Sequence, residues 1–411
     1  MRFANIMAAM ALTGICCSAT AQIRLPLSLP TAPLLPQSFD AAGPRALDAA
    51  GELRREQIGR LVRGNRRLID TDADGEPVVR GEIVAVGLSE EALAYASARG
   101  FLVEREVAAA DIRFTVLKAP GKTTARSALR ALRAADPEGL YDYNHIYLGA
   151  GVTAAESRDA APPESSMRGG ATAPSTARIR VGLLDTGIDA SHPAFRDLPI
   201  HGWGCGTHQV PAAHGTAVAS LLVTHGGNEL FAADVYCGSP TGGSVDTIVA
   251  ALGWLSEQAV PVINVSLVGP KNVLLERVVS TLIARGHLIV AAVGNDGPAA
   301  PPLYPAAYPG VVGVTAVDAH RRVLMEAERG PQVMFAARGA DLEAASLEGG
   351  YSDVRGTSFA APTVAALLAA LSSAPDRHAA AAAIDVLVKN AIHLGSPGRD
   401  LTYGFGVVGE R

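Results

Sequence analysis

Cysteine is scarce in this 411-residue chain: four in all, with Cys16 and Cys17 inside a short apolar run near the N-terminus. A scaffold held by several disulfides is therefore excluded. An excess of one charge is also missing. Forty acidic residues against 35 basic ones leave a formal net charge of −5, too mild to imply a nucleic-acid or membrane-surface partner. No stretch resembles a nucleic-acid motif. After the N-terminus there is no apolar run long enough to cross a membrane. The Ala-rich stretch that follows Phe359 contains Pro362 and reads as a buried helix of a globular core.

What is present begins with Arg2, an apolar run over 6–17 and Ala19-Thr20-Ala21. That order is a secretory signal peptide over 1–21, with cleavage expected before Gln22 and a secreted or periplasmic product. Cys16 and Cys17 lack the small preceding residue of a lipoprotein signal. In an exported chain the two remaining cysteines, Cys205 and Cys237, are expected to pair. The alternative is a metal site using Cys205, His208 and His214, but no three or four ligands stand at zinc spacing. Hydrophobic residues are 48% and charged residues 18%, the profile of a chain able to bury a core.

The segment 22–80 opens Pro-rich to about residue 45 and is then helical in character over 47–68. Asp70-Thr71-Asp72-Ala73-Asp74-Gly75 opens like a calcium loop, yet position twelve is Gly81 instead of Glu, so a solvated turn is expected. Residues 81–149 alternate as β-α-β-β-α-β, the ferredoxin-like α+β plan. Residues 150–177 are rich in Ala, Gly, Ser and Pro and read as an exposed linker. The remainder, 178–411, is predicted to be an α/β domain with a mainly parallel sheet. Strands are expected near 179–185, 231–237, 260–266, 287–293 and 311–317, with helices on both faces.

Four short stretches of that domain carry chemistry. Asp185 ends a branched apolar run and is followed by a Thr-Gly turn, which puts a carboxylate at the carboxyl end of a parallel strand. His214 opens a helical pattern of small residues. Asn295 follows the strand-like run 287–293. Ser358, in Gly356-Thr357-Ser358, opens another helix, where free N–H groups and the helix dipole favour negative charge. A serine hydroxyl needs a neighbouring base to act as a nucleophile. His214 suits that role, with Asp185 orienting the imidazole. The α/β-hydrolase elbow G-x-S-x-G is absent, which argues against an esterase. A non-catalytic binding protein on the same scaffold is the other rival, and the intact set of four residues argues against it.

In this order the four stretches resemble the subtilisin-like serine proteases (subtilases, peptidase family S8), from about residue 178 to the C-terminus. The resemblance implies a three-layer subtilisin-like fold and peptide-bond hydrolysis through an acyl-enzyme, with Asp185, His214 and Ser358 as triad and Asn295 as oxyanion donor. It implies that Ser266, Leu267 and Val268 bind substrate backbone as an added strand and that Leu303 stands near the floor of the P1 pocket. Val268 and the short Ala/Pro-rich segment 295–304 suggest a shallow pocket for small or medium apolar P1 residues. Asp296 at the rim leaves a basic P1 as the rival. The 81–149 unit looks like a subtilase propeptide, an intramolecular chaperone and inhibitor, with self-cleavage expected between about 148 and 178. Protein or peptide substrates and the chain's own propeptide are the expected partners. No organic cofactor or metal is implied. The family's calcium-loop insertion is missing from the helix after His214, although a weak surface calcium site is compatible with the sequence.

Overall fold

The computed structural model describes residues 44–150, 152–153, 178–206 and 208–410. The signal-peptide expectation, the Pro-rich start and most of the expected linker lie outside those residues. Helix α1 (Pro44–Gly64) leads into a hairpin of β1 (Ile69–Thr71) and β2 (Pro77–Val86). Then come α2 (Glu90–Ala98), β3 (Leu102–Ala109), β4 (Ile112–Lys118), α3 (Ala125–Ala135) and β5 (Leu140–Gly149). The antiparallel order β5-β2-β4-β3 is that of a ferredoxin-like sheet. Ser89 and Thr124 cap α2 and α3 by accepting main-chain N–H bonds, as N-cap hydroxyls do. Leu129 and Leu132 of α3 pack on Ile83 and Leu117.

Two local expectations change. The boundary expected at residue 81 falls inside β2, because the strand passes through an irregularity in its pairing, with Gly81 at φ 69°. In the turn at 72–75, Ala73, Asp74 and Gly75 are exposed as expected, but its first carboxylate is not. Asp72 is buried, its Oδ1 accepts the N–H groups of Asp74 and Glu76, and its Oδ2 lies 3.1 Å from His145 Nε2.

After β6 (Val152–Thr153) the second layer begins with β7 (Arg180–Asp185), β8 (Ile200–Trp203), α4 (Ala213–Thr224) and β9 (Glu229–Asp234). It continues with β10 (Gly243–Ser244), α5 (Val245–Glu257), β11 (Val262–Val265), β12 (Leu267–Val268), α6 (Val273–Ala284) and β13 (Leu288–Ala292). The last elements are β14 (Val312–Val317), β15 (Val333–Arg338), β16 (Leu342–Ala345), β17 (Tyr351–Arg355), α7 (Thr357–Ala369) and α8 (Arg377–Asn390). A parallel sheet runs β15-β14-β13-β11-β7-β9-β8. The five expected strands form its centre, and β8 and β15 extend its edges.

Both faces of this sheet are covered. Val181 and Leu183 of β7 pack with α4 and α7, while Leu184 packs with α5 and α6. Leu288, Val290 and Ala292 of β13 alternate with Ile289 and Ala291 in the same way. This double burial is why the strands read as continuous apolar runs. The N-terminal layer lies on the α5/α6 side, and β5 runs on from it to pair with β10 and β12. Arg105 there bridges Glu82 and Asp246, at the start of α5, at 2.7 and 2.9 Å.

Candidate active site

Asp185 closes β7 fully buried, and its Oδ1 accepts the Thr186 N–H at 2.7 Å. Helix α4 docks directly on the turn that follows. A Cβ on Gly215 would stand 2.3 Å from the Thr186 carbonyl oxygen, so only glycine allows this approach. The Gly215 N–H donates to Thr186 Oγ1 at 2.8 Å. This docking sets His214 Nδ1 2.7 Å from Asp185 Oδ1. With a carboxylate as acceptor, Nδ1 carries the proton and Nε2 keeps its lone pair. Nε2 faces the chain at Gly149, where an added Cβ would lie 3.2 Å away.

Ser358 sits in the first turn of α7, which Gly356 enters at φ 137°. Its N–H donates to the Ala150 carbonyl at 3.0 Å. Its hydroxyl donates to the Ser266 carbonyl at 3.1 Å, and the Ser266 hydroxyl donates back to the Ser358 carbonyl at 3.0 Å. The Ser358 hydroxyl is thus turned to Ser266, and His214 Nε2 makes no hydrogen bond. Asn295 lies in the loop after β13. Its Oδ1 accepts the Thr357 N–H at 3.1 Å, which aims Nδ2 at the Ala150 carbonyl, to which it donates. The Ala150 oxygen therefore rests between a main-chain N–H and a side-chain amide.

Ala150 arrives there as part of a strand. Its own N–H donates to the Ser266 carbonyl at 3.2 Å. Gly149 pairs with Leu267 and Leu148 with Val268, while Tyr147 pairs with Gly243 and Ile146 with Ser244. Beyond the Ala150 carbonyl, Val152 and Thr153 pair with Arg355 and Val354 of β17. Ala150, Val268 and Leu303 belong to one buried apolar cluster. The Leu303 N–H donates to Glu328 Oε2 at 3.3 Å, and the next residue, Tyr304, exchanges two main-chain hydrogen bonds with Gly269, at 2.9 and 3.0 Å. Residues 150 and 152–153, expected as exposed linker, instead lie bonded in this cleft, because partners from two distant strands supply what local periodicity lacks.

The surroundings include a buried group of carboxyls. Burial, reinforced by Asp296, pushes the fully buried Glu328 carboxyl up to about 9, while the Leu303 N–H bonded to its Oε2 pulls the other way. Burial also raises the Asp296 carboxyl, against the pull of Arg54. Cys205 and Cys237 form a disulfide, with Cα atoms 5.1 Å apart. Among the described residues, the one group able to offer three metal-ligand atoms is this pair with Asp234. With both sulfurs in the disulfide, no thiolate is left for a metal.

Ser358, Asn295, Ser266, Leu267, Val268 and Leu303 thus meet the backbone at 148–150, and Asp185 stands behind His214, whereas Cys205 and Cys237 pair with each other next to Asp234. Sequence reading missed Ala150, the β10 wall, the β17 wall, and the Arg54–Asp296 contact. The Gly242-Gly243 pair ahead of α5 was an available signal for β10, since close backbone approach favours glycine.

Residues 176–406 match the family described as the Subtilase family. Minor extracellular protease Epr of Bacillus subtilis is 28% identical over 245 residues, 56% of this chain and 37% of that protein. Subtilisin DY of Bacillus licheniformis is 30% identical over 251 residues, 56% of this chain and 89% of that protein. The chain thus spans well under half the length of Epr but most of subtilisin DY. The crystal structure of fervidolysin from Fervidobacterium pennivorans, a keratinolytic enzyme related to subtilisin, superposes with a TM-score of 0.68 at 20% identity. It covers 82% of this chain and 61% of that one. This likeness of fold therefore reaches past the matched C-terminal segment into the N-terminal layer.

Proposed function

The chain belongs to the subtilase family, and we propose that it is an exported serine endopeptidase made as a precursor that cuts itself after Ala150. The observation that carries this reading is the Ala150 carbonyl, held by the Ser358 N–H and Asn295 Nδ2 while strands on both sides grip the backbone. In the proposed reaction the Ser358 hydroxyl rotates from Ser266 toward His214. Its oxygen attacks the Ala150 carbonyl carbon while His214 Nε2 takes the proton. Buried Asp185 stabilises the imidazolium through Nδ1. Negative charge gathers on the Ala150 oxygen between its two donors. Collapse breaks the Ala150–Gly151 bond, and His214 passes the proton to the departing amine. Water, deprotonated by His214, then releases Ala150 from Ser358. The proposed steps use this chain's own groups, without a cofactor.

The same geometry suits substrates in trans, with Ser266, Leu267 and Val268 on one side of the backbone and Leu303 at the P1 pocket. Ala150 as P1 supports a preference for small apolar side chains. Export is supported by the signal-like N-terminus and the Cys205–Cys237 pair. On this reading the N-terminal layer is a propeptide that blocks the cleft until it leaves.

The test is the intact mass of wild-type protein over time beside Ser358→Ala. Wild type is expected to yield a fragment beginning at Gly151, and the variant to stay uncut. Equal cutting of both chains would remove Ser358 from the reaction. A cut far from Ala150 would overturn the assigned bond.

A further inference from the structure

The N-terminal layer has a second hold on the catalytic layer, apart from the strand in the cleft. Arg54 leaves α1 and is nearly covered, with its side chain 12% exposed. Its Nη2 lies 2.8 Å from Glu76 Oε2 in the N-terminal layer, and its Nε lies 3.1 Å from Asp296 Oδ2 in the catalytic layer. Asp296 directly follows Asn295, the residue whose amide holds the Ala150 carbonyl. Behind it stands Glu328, fully buried, with Oε1 lacking any hydrogen-bond partner. A Cβ on Gly294 would lie 2.5 Å from that oxygen. Glu328 is near enough to Arg54 and Asp296 for both charges to act on it.

Cutting after Ala150 leaves this contact intact. Arg54 lies in the N-terminal fragment and Asp296 in the other, and neither touches the broken bond. Separating the fragments would strand a nearly buried carboxylate beside a second buried carboxyl, which is costly when the counter-charge departs. A planar guanidinium meets two carboxylates at once in a way that an ammonium group cannot.

We propose that Asp296, backed by Glu328, is a guanidinium-binding exosite beside the active site, and that Arg54 fills it to retain the cut N-terminal layer. The inference rests on the self-cleavage reading above. It makes release, not cutting, the step that Arg54 controls.

The experiment follows wild-type, Arg54→Ala and Arg54→Lys precursors by intact mass for cutting and by peptide hydrolysis for free enzyme. All three are expected to cut at similar rates. The delay between cutting and activity shortens on the order of tenfold or more in Arg54→Ala and less in Arg54→Lys. Millimolar agmatine, a small guanidinium, at matched ionic strength shortens the delay in wild type and leaves Arg54→Ala unchanged. If Arg54→Ala fails to fold, Arg54→Gln makes the same comparison, keeping the side chain's bulk and removing its charge. Normal cutting with unchanged delays, or no response to agmatine in wild type, overturns this inference alone. An uncut wild-type precursor overturns the self-cleavage reading and this inference with it.

Discussion

Two side chains carry most of what can be tested residue by residue. Asn295 serves twice, since its Oδ1 fixes the start of α7 through the Thr357 N–H while Nδ2 meets the Ala150 oxygen. Asn295→Ala removes a donor aimed at the developing charge, so kcat is expected to fall about 10²–10³-fold with KM little changed. It also leaves the Thr357 N–H unpaired, at about 1–3 kcal/mol of stability. Steady-state kinetics on the processed enzyme check the first effect, and wild-type turnover would overturn the oxyanion role. Glu328 makes the opposite kind of prediction, one about pH. Burial, then Asp296, raises its carboxyl to about 9 in the folded chain from an ordinary value near 4.5. The folded state therefore holds a proton that the unfolded state has lost between those values. Its stabilising share is complete below about pH 4.5 and fades as pH climbs toward 9. Glu328→Gln keeps the shape and removes the charge, so the variant should gain on wild type by a few kcal/mol between pH 5 and 8. Urea midpoints measured in the Ser358→Ala background avoid self-digestion. Parallel pH curves for the two chains would mean that Glu328 has an ordinary carboxyl.

At the scale of elements, the sequence was most readable where one segment carries its own reason. Asp185, His214 and Ser358 each stand at the junction of an apolar run with a tight turn or a helix start. Strand ends and helix starts are what a parallel sheet brings together at one edge. The β-α-β-β-α-β order was legible for the same cause: β2, β4 and β5 are short runs rich in branched and aromatic residues, and α3 buries one face through Ala125, Ala128, Leu129 and Leu132. What was not legible depends on partners far away in the chain. Residues 150 and 152–153 have no periodicity, and their place in the cleft comes from Ser266 and β17. Asp72 looks like a solvated turn acid until His145 of β5 is placed beside it. Arg54 sits in a charged helix where any of several arginines could have been the buried one, and only its distant partners Glu76 and Asp296 distinguish it. Short-range pattern finds the elements and the reactive ends, while long-range pairing decides what fills the cleft.

For the molecule as a whole, the consequence of the proposed self-cleavage is a precursor that carries its own first substrate, already aligned. β5 belongs to both layers, pairing with β2 on one side and with β10 and β12 on the other. The Ala150 carbonyl meets Ser358 without any encounter between molecules, so the first cut should be unimolecular. Its half-time is then expected to stay constant across a hundredfold range of precursor concentration, which intact-mass time courses can measure directly. A bimolecular cut would instead shorten its half-time in proportion to concentration, and that outcome would remove the threaded strand as the substrate. Mixing supplies the complementary arm. Uncut Ser358→Ala precursor added to fresh wild type should remain whole until the wild-type N-terminal layer has left, because every wild-type cleft is filled from within. Loss of the Ser358→Ala chain at the same early rate as wild type would mean that the clefts are open from the start.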